Sequence, residues 1–357
     1  MQDSKHKFVA LDGLRGVAAI AVVICHYSKE IGTWLFSAAI AVDFFFILSG
    51  FVISYAYEER LRQGLSYRKF MQIRLIRLYP LYAIGIVIPL GAVFTNAALG
   101  LPHVSLVLAV ISSMFNSLLL PVPLAYSADS VIVFPINEPA WSLSLELAIN
   151  ALYVFFCLRL STRLLGAVCL LSAIWLAASC HYYAEGLNTG WAWGNYLGGW
   201  ARVLWGFPAG ILLFRLYKSN PAHKYPSLIA ALLPMALIFA FSTANDQNLL
   251  ILVWPLILFP ACIWLGARFE IKGLANALCA WLGQISYSLY ITHIGILQFI
   301  VIVYKLLGID PSVHLRLNTL FWTIIAVAFA WLLDAQYDKT VRRYLTAKFS
   351  SNRLASL

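Results

Sequence analysis

The sequence predicts an all-α protein, a polytopic membrane helical bundle of about ten transmembrane helices with one further re-entrant or interfacial segment. Of the 357 residues, 62% are hydrophobic and only 11% are charged. A soluble domain of this size cannot cover so much apolar side chain. Several apolar runs of roughly 18 residues or more also have the length that a hydrocarbon core of ~30 Å demands.

Eleven apolar segments follow one another, each of helical length. The basic residues between Arg60 and Arg77 mark a cytoplasmic connection if the N-terminus is also cytoplasmic. The tail 338–357 is also basic, so both ends of the chain are predicted to lie inside. The predicted segments are 9–28, 35–57, 75–97, 104–121, 139–158, 164–182, 199–217, 226–243, 248–266, 277–304 and 315–334.

One of these segments must not cross, because two cytoplasmic ends require an even number of crossings. Segment 104–121 is the natural choice, since it is short, lies between Pro102 and Pro121, and contains Asn116. The later segments then alternate correctly, because loops 183–198 and 244–248 contain no Lys or Arg and fall outside.

Charge and cysteine usage exclude other classes of protein. The net charge of +10 is explained by topology and by attraction to anionic membrane lipid, so we expect no nucleic-acid partner. The six cysteines are scattered through apolar segments without CxxC spacing, which predicts neither a disulfide framework nor a metal site.

Two ionisable residues lie on one stripe of the first helix. His26 follows Arg15 by eleven positions, so both face one groove about 16 Å apart along the axis. An ionisable residue inside a membrane span is a functional-site candidate by default. Asp12 lies three residues before Arg15 and is expected to pair with it.

Two further carboxylates are predicted to lie in the membrane. Asp43 is near the start of the second span, and Glu146 is about two turns into the helix that begins at Pro139. A carboxylate bonded to one imidazole nitrogen orients the ring and frees the other nitrogen as a base. Spacing leaves both Asp43 and Glu146 open as the partner of His26.

Each of the remaining candidate residues has a structural interpretation as well as a functional one. Arg74 and Arg77, with Arg68 upstream, form either a phosphate clamp or a positive-inside anchor. Trp141 suits an interfacial anchor as well as a substrate platform. Tyr290 and His293 lie in an aromatic stripe that packing alone also explains.

These motifs, in this order, resemble the acyltransferase-3 family of integral membrane acyltransferases. The resemblance lies in residues 11–26, with LDGLRG and the Arg15-to-His26 spacing; VDFFFILSGFVIS, 42–54; RLIRLYPLY, 74–82; EPAWSLSLE, 138–146; and ISYSLYITH, 285–293.

The resemblance implies an enzyme that takes an acetyl or other acyl group from cytoplasmic acetyl-CoA, used as co-substrate without a metal. His26 would be the catalytic histidine, Arg15 its motif partner, Arg74 with Arg77 the CoA-binding motif, and Glu146 an essential carboxylate. We expect 1–357 to be a single membrane acyltransferase domain in the bacterial inner membrane, without the soluble domain that some members carry.

The implied acceptor is a hydroxyl of a glycan or lipid-linked glycan, for instance lipopolysaccharide O-antigen. Alternatives are peptidoglycan, a signalling oligosaccharide or a small secreted metabolite. Direct attack with His26 as base and a transient acyl-His26 are both open. A membrane transporter is the alternative from another class, although the C-terminal half has no second copy of the Arg15–His26 pattern.

Overall fold

The fold of the described residues is helical, as the composition predicts. The structure is a computed structural model that describes residues 7–32, 37–157, 159–183, 186–219, 232–243 and 249–351. Within these ranges there is no β-strand, and the one isolated bridge joins Ile132 to Ala192. The predicted all-α class is therefore confirmed.

Twelve α-helices are labelled here in chain order. They are α1 Val9–Glu30, α2 Ala41–Arg62, α3 Tyr67–Ala98, α4 Leu106–Ser117, α5 Ala140–Leu152, α6 Thr162–Tyr182, α7 Tyr196–Ser219, α8 Leu232–Thr243, α9 Phe259–Gly266, α10 Gly273–Leu307, α11 Leu315–Leu333 and α12 Lys339–Ser351. Single π-helical turns adjoin three of them, at Tyr153–Cys157, Trp254–Leu258 and Asp334–Asp338.

Local sequence signals explain several helix ends. The Ser66 and Ser161 hydroxyls accept hydrogen bonds from the backbone N–H groups of Lys69 and Leu164 and so cap α3 and α6. Pro139 precedes the first residue of α5, as the sequence predicts. Gly308 ends α10 in the left-handed conformation, with φ of 64°, which glycine adopts without a steric penalty.

The helices have the lengths of a polytopic membrane protein. Eight helical stretches among the described residues are long and apolar enough to cross a bilayer, so the bundle is confirmed while ten crossings stay a prediction. The α4 helix has 12 residues and spans about 18 Å, less than a ~30 Å hydrocarbon core. The first residues of predicted segment 226–243 lie outside the described residues.

Two closely packed helix pairs form the centre of the bundle, α1 with α10 and α2 with α7. A Cβ at Gly16 would overlap Leu282 of α10, and a Cβ at Gly210 would overlap the Ile47 carbonyl of α2. Glycine at these two positions lets the backbones approach closely, as at other membrane helix contacts. The same two pairs carry Arg15, His26, Asp43, Arg202 and His293.

Candidate active site

Arg15 binds α1 to α10. Its guanidinium pairs with Asp12 at 3.0 Å, which confirms the predicted ion pair, and its Nε donates to Ser286 Oγ at 2.9 Å. Nη2 also donates to the Gly283 carbonyl at 2.6 Å. Arg15 is therefore held by three residues before any ligand is considered.

His26 lies half-buried three turns along the same helix. Its Nδ1–H donates to the Val22 carbonyl at 2.9 Å, since a carbonyl oxygen can only accept. The lone pair therefore lies on Nε2, the nitrogen that a general base uses. A backbone carbonyl, rather than a carboxylate, orients this ring.

His293 of α10 lies beside His26 and is fully buried. Its Nε2 is 3.4 Å from His26 Nδ1, and its Nδ1 donates to the Tyr290 carbonyl at 2.7 Å. The Tyr27 hydroxyl donates to the His293 carbonyl at 2.9 Å. The aromatic stripe predicted around Tyr290 and His293 therefore includes a direct neighbour of His26.

Asp43, one of the two alternatives for the partner of His26, pairs with another residue instead. Both of its oxygens accept from Arg202 of α7, at 3.1 Å from Nε and 2.9 Å from Nη2, and both side chains are buried. The remaining Arg202 donors reach the carbonyls of Thr189 and Ala39. A buried bidentate ion pair is tolerated when additional hydrogen bonds of this kind satisfy the remaining donors.

Glu146 also has other partners than His26. Its Oε1 accepts from Arg74 Nη2 at 3.0 Å and from Ser49 Oγ at 2.7 Å. Arg74 is buried, and its Nε has no hydrogen-bond partner among the described residues. The Arg74–Glu146 pair thus forms part of the wall of the cavity described next.

A cavity of about 310 Å³ runs through the bundle past these groups. Five basic and three acidic side chains line it, which leaves it net positive. They are Arg15, Arg74, Arg77, Lys339 and Arg342, with Glu146, Asp334 and Asp338. We call this space the basic cavity.

The tail helix supplies part of the basic cavity. Lys339 pairs with Asp334 at 3.1 Å and Arg342 with Asp338 at 3.0 Å, where the π turn joins α11 to α12. Arg77 of α3 lies at the same end. Arg68 does not line the cavity; it is exposed in the first turn of α3, so its predicted place in the clamp is not supported.

A second cavity of about 70 Å³ contains His26, and we call it the histidine cavity. Glu138, Trp141 and Arg202 line it as well. Trp141 is buried, with the Arg202 guanidinium 5.3 Å from its ring, so it is a wall residue and not an exposed interfacial anchor. Val42 and Tyr290 line both cavities.

Four lining residues were not predicted from the sequence: Arg202, Glu138, Lys339 and Arg342. Arg202 could have been found, because the rule that singled out Arg15 applies to any arginine inside a predicted span, here 199–217. Glu138 lies near a helix start, where a negative charge is favourable without any functional role. Lys339 and Arg342 were read as topology signals, and only their contacts reveal a place in the site.

Similarity to known proteins identifies the family. The family model Acyl_transf_3, described as an acyltransferase domain, matches residues 8–335. Protein 2 in picA locus of Rhizobium radiobacter is 33% identical over 185 residues, covering 48% of this chain and 94% of that protein. Acyltransferase MdmB of Streptomyces mycarofaciens is 31% identical over 152 residues, 39% of this chain and 36% of that protein.

No solved structure matches the chain significantly. The family model, in contrast, extends over almost the whole chain and includes α1 to α11. It therefore contains every motif on which the sequence resemblance depends. The protein belongs to the acyltransferase-3 family of integral membrane acyltransferases.

Proposed function

We propose that this acyltransferase moves an acetyl group from cytoplasmic acetyl-CoA to a hydroxyl of a cell-surface glycan, with lipopolysaccharide O-antigen as the first acceptor to test. One observation carries the proposal. The basic cavity and the histidine cavity share Val42 and Tyr290, so a polyanionic donor and a general base adjoin inside one bundle.

The phosphates of the donor would bind at the cytoplasmic end of the basic cavity. Arg77, Lys339 and Arg342 meet there, and arginine binds phosphate oxygens through two parallel N–H groups. Asp334 and Asp338 balance the charges of Lys339 and Arg342, so Arg77 leaves this end net positive, and each ion-pair contact uses only one of the several N–H donors of its cation. A polyanion at this end requires no charge to enter the lipid.

The pantetheine arm would follow the polar groups along the basic cavity. Ser49, Arg74 and Glu146 line the basic cavity, and the Glu146 carboxylate suits an amide N–H of the arm. The distance of ~16 Å along α1 from Arg15 to His26 is about the length of that arm. The thioester would then lie near Tyr290 and His26.

The transfer itself needs one base. His26 Nε2 takes the proton of the acceptor hydroxyl as the oxygen attacks the thioester carbonyl, the C–S bond breaks, and the proton passes to the CoA thiolate. Val22 and His293 hold the ring during both proton transfers. Direct transfer is the simpler route, because it forms no acyl-histidine.

The acceptor hydroxyl would enter the histidine cavity, and the rest of the glycan would stay outside it. Trp141 and Trp191 give this cavity aromatic walls, and Glu138 and Asn188 add polar groups that can bond the hydroxyl. This orientation puts the basic cavity and both chain termini on the cytoplasmic side of a bacterial inner membrane. Peptidoglycan, an oligosaccharide or a secreted metabolite would reach His26 from the same side.

The test is thiol release from acetyl-CoA by the purified protein, with and without a panel of surface glycans. We expect glycan-stimulated release with acetate recovered on one glycan. His26→Ala should lower the rate by at least ~10²-fold. His103→Ala is the matched control, because His103 is exposed and lines neither cavity.

Two results would overturn the proposal. Wild-type rates in folded His26→Ala would remove His26 from the mechanism. Failure of the wild-type protein to bind acetyl-CoA would exclude acetyl-CoA as the acyl donor.

A further inference from the structure

Tyr290 lies where the basic cavity and the histidine cavity adjoin. Its side chain lines both spaces, and Val42 is the other residue that does so. A route between the two cavities at this point therefore passes the Tyr290 ring.

Hydrogen bonds hold the ring in this position. The Tyr290 hydroxyl is 2.7 Å from Ser142 Oγ of α5 and 3.3 Å from the Pro139 carbonyl. Ser142 Oγ is itself 3.0 Å from that carbonyl. Two hydroxyls and one carbonyl thus tie α10 to the start of α5.

Neighbouring rings restrict Tyr290 from the other side. Phe45 packs edge-on against it, with ring centroids 5.6 Å apart, and the Tyr290 carbonyl accepts the Nδ1–H of His293. The Tyr290 ring is therefore a defined wall of the passage and not a mobile side chain on its surface.

The volumes differ on the two sides of this wall. The basic cavity has about 310 Å³, whereas the histidine cavity has about 70 Å³, room for roughly five water molecules at ~15 Å³ each. An acetyl group has three non-hydrogen atoms and a hexanoyl group has seven. By volume, the histidine cavity therefore favours the shorter group.

We propose that Tyr290, anchored by Ser142, is a specificity-determining residue that restricts the donor to short acyl groups. The inference rests on the proposed acyl-CoA function and deepens it. The residue acts by limiting the passage to His26, so its removal changes which donors are accepted.

The test compares acetyl-CoA, butyryl-CoA and hexanoyl-CoA as donors for the full-length protein, with thiol release measured in the presence of a lipopolysaccharide preparation. We expect Tyr290→Ala to raise the hexanoyl-to-acetyl ratio of kcat/KM by roughly tenfold or more. Tyr290→Phe retains the ring and should keep the wild-type ratio, even where its rates fall. Tyr304→Ala on the same helix is the control, because Tyr304 lines neither cavity.

An unchanged ratio in folded Tyr290→Ala, or wild-type protein that uses hexanoyl-CoA as well as acetyl-CoA, would overturn the inference. Tyr290→Leu replaces the alanine variant if that protein does not fold. These results differ from a failure of the proposed function, in which wild-type protein releases thiol from none of the three donors.

Discussion

At the residue scale, the ionisable groups inside this bundle divide into those that hold it together and those left for a ligand. Arg202 and Asp43 satisfy each other and two backbone carbonyls, so their arrangement is structural. Arg74 and Glu146 line the basic cavity, and His26 keeps the lone pair of Nε2. We therefore expect the chemistry to occur at the groups left for a ligand and not at the Arg202–Asp43 pair.

Removing one partner of the buried pair tests the structural role. Asp43→Asn leaves Arg202 charged and buried, and we expect it to lower the free energy of unfolding by about 3–5 kcal/mol. Thermal unfolding in detergent measures the loss. The control is Lys218→Ala, which breaks an exposed 3.4 Å pair with Glu59 and should cost at most about 1 kcal/mol. Equal melting temperatures for both variants would show that the Asp43 pair contributes nothing.

The basic end of the cavity is tested by changing its cations. Arg77→Ala combined with Arg342→Ala should raise the KM for acetyl-CoA roughly tenfold or more, because charge-assisted bonds to phosphate are worth about 1.5–3 kcal/mol each. kcat should change much less. Arg68→Ala, an arginine on the same α3 helix but outside the cavity, should leave KM within about twofold of the wild-type value. A larger rise in KM for Arg68→Ala would show that Arg68 belongs to the phosphate clamp, as its sequence position predicts.

At the element scale, the two central helix pairs position the site. The α1–α10 pair brings His26 to His293, and the α2–α7 pair brings Asp43 to Arg202. Sequence periodicity predicts which residues share a face of one helix, as it does for Arg15 and His26. It does not predict which helix lies opposite, so Ser286, His293 and Arg202 were not assigned as partners.

Close approach of α2 and α7 depends on Gly210. In Gly210→Ala the new methyl group meets the Ile47 carbonyl, and we expect a loss of about 1–3 kcal/mol of stability with altered packing around Asp43. Thermal unfolding of purified protein measures it. Gly166→Ala is the control, because its Cβ meets nothing within 4 Å, and alanine should stabilise α6 slightly. An unchanged melting temperature for Gly210→Ala would mean that α2 and α7 can lie farther apart without a loss of stability.

At the scale of the whole molecule, much of the fold is predictable from the sequence, since helix lengths and apolar runs follow the bilayer. The family follows from five ordered motifs. What the sequence does not predict is the division of the interior into two cavities at Tyr290, because a cavity depends on contacts among α2, α5 and α10. For the same reason, the sequence does not predict that the cations of α12 line the basic cavity, because only the folded chain brings them there.

The orientation of the bundle is testable in intact cells. Asp310→Cys and Ser66→Cys place thiols in exposed turns, after α10 and before α3. With the native cysteines replaced, a membrane-impermeant maleimide should label position 310 from outside and position 66 only after lysis. The reverse pattern would invert the proposed orientation, and labelling of both from outside would contradict the crossings between them.

The central claim is that donor and acceptor meet inside the bundle from opposite faces of the membrane. The most direct measurement uses proteoliposomes with the acceptor glycan trapped inside and acetyl-CoA, radiolabelled in the acetyl group, added outside. We predict that label appears on the trapped glycan with wild-type protein and not with His26→Ala. Label that appears only when donor and glycan are on the same side of the membrane would contradict the account.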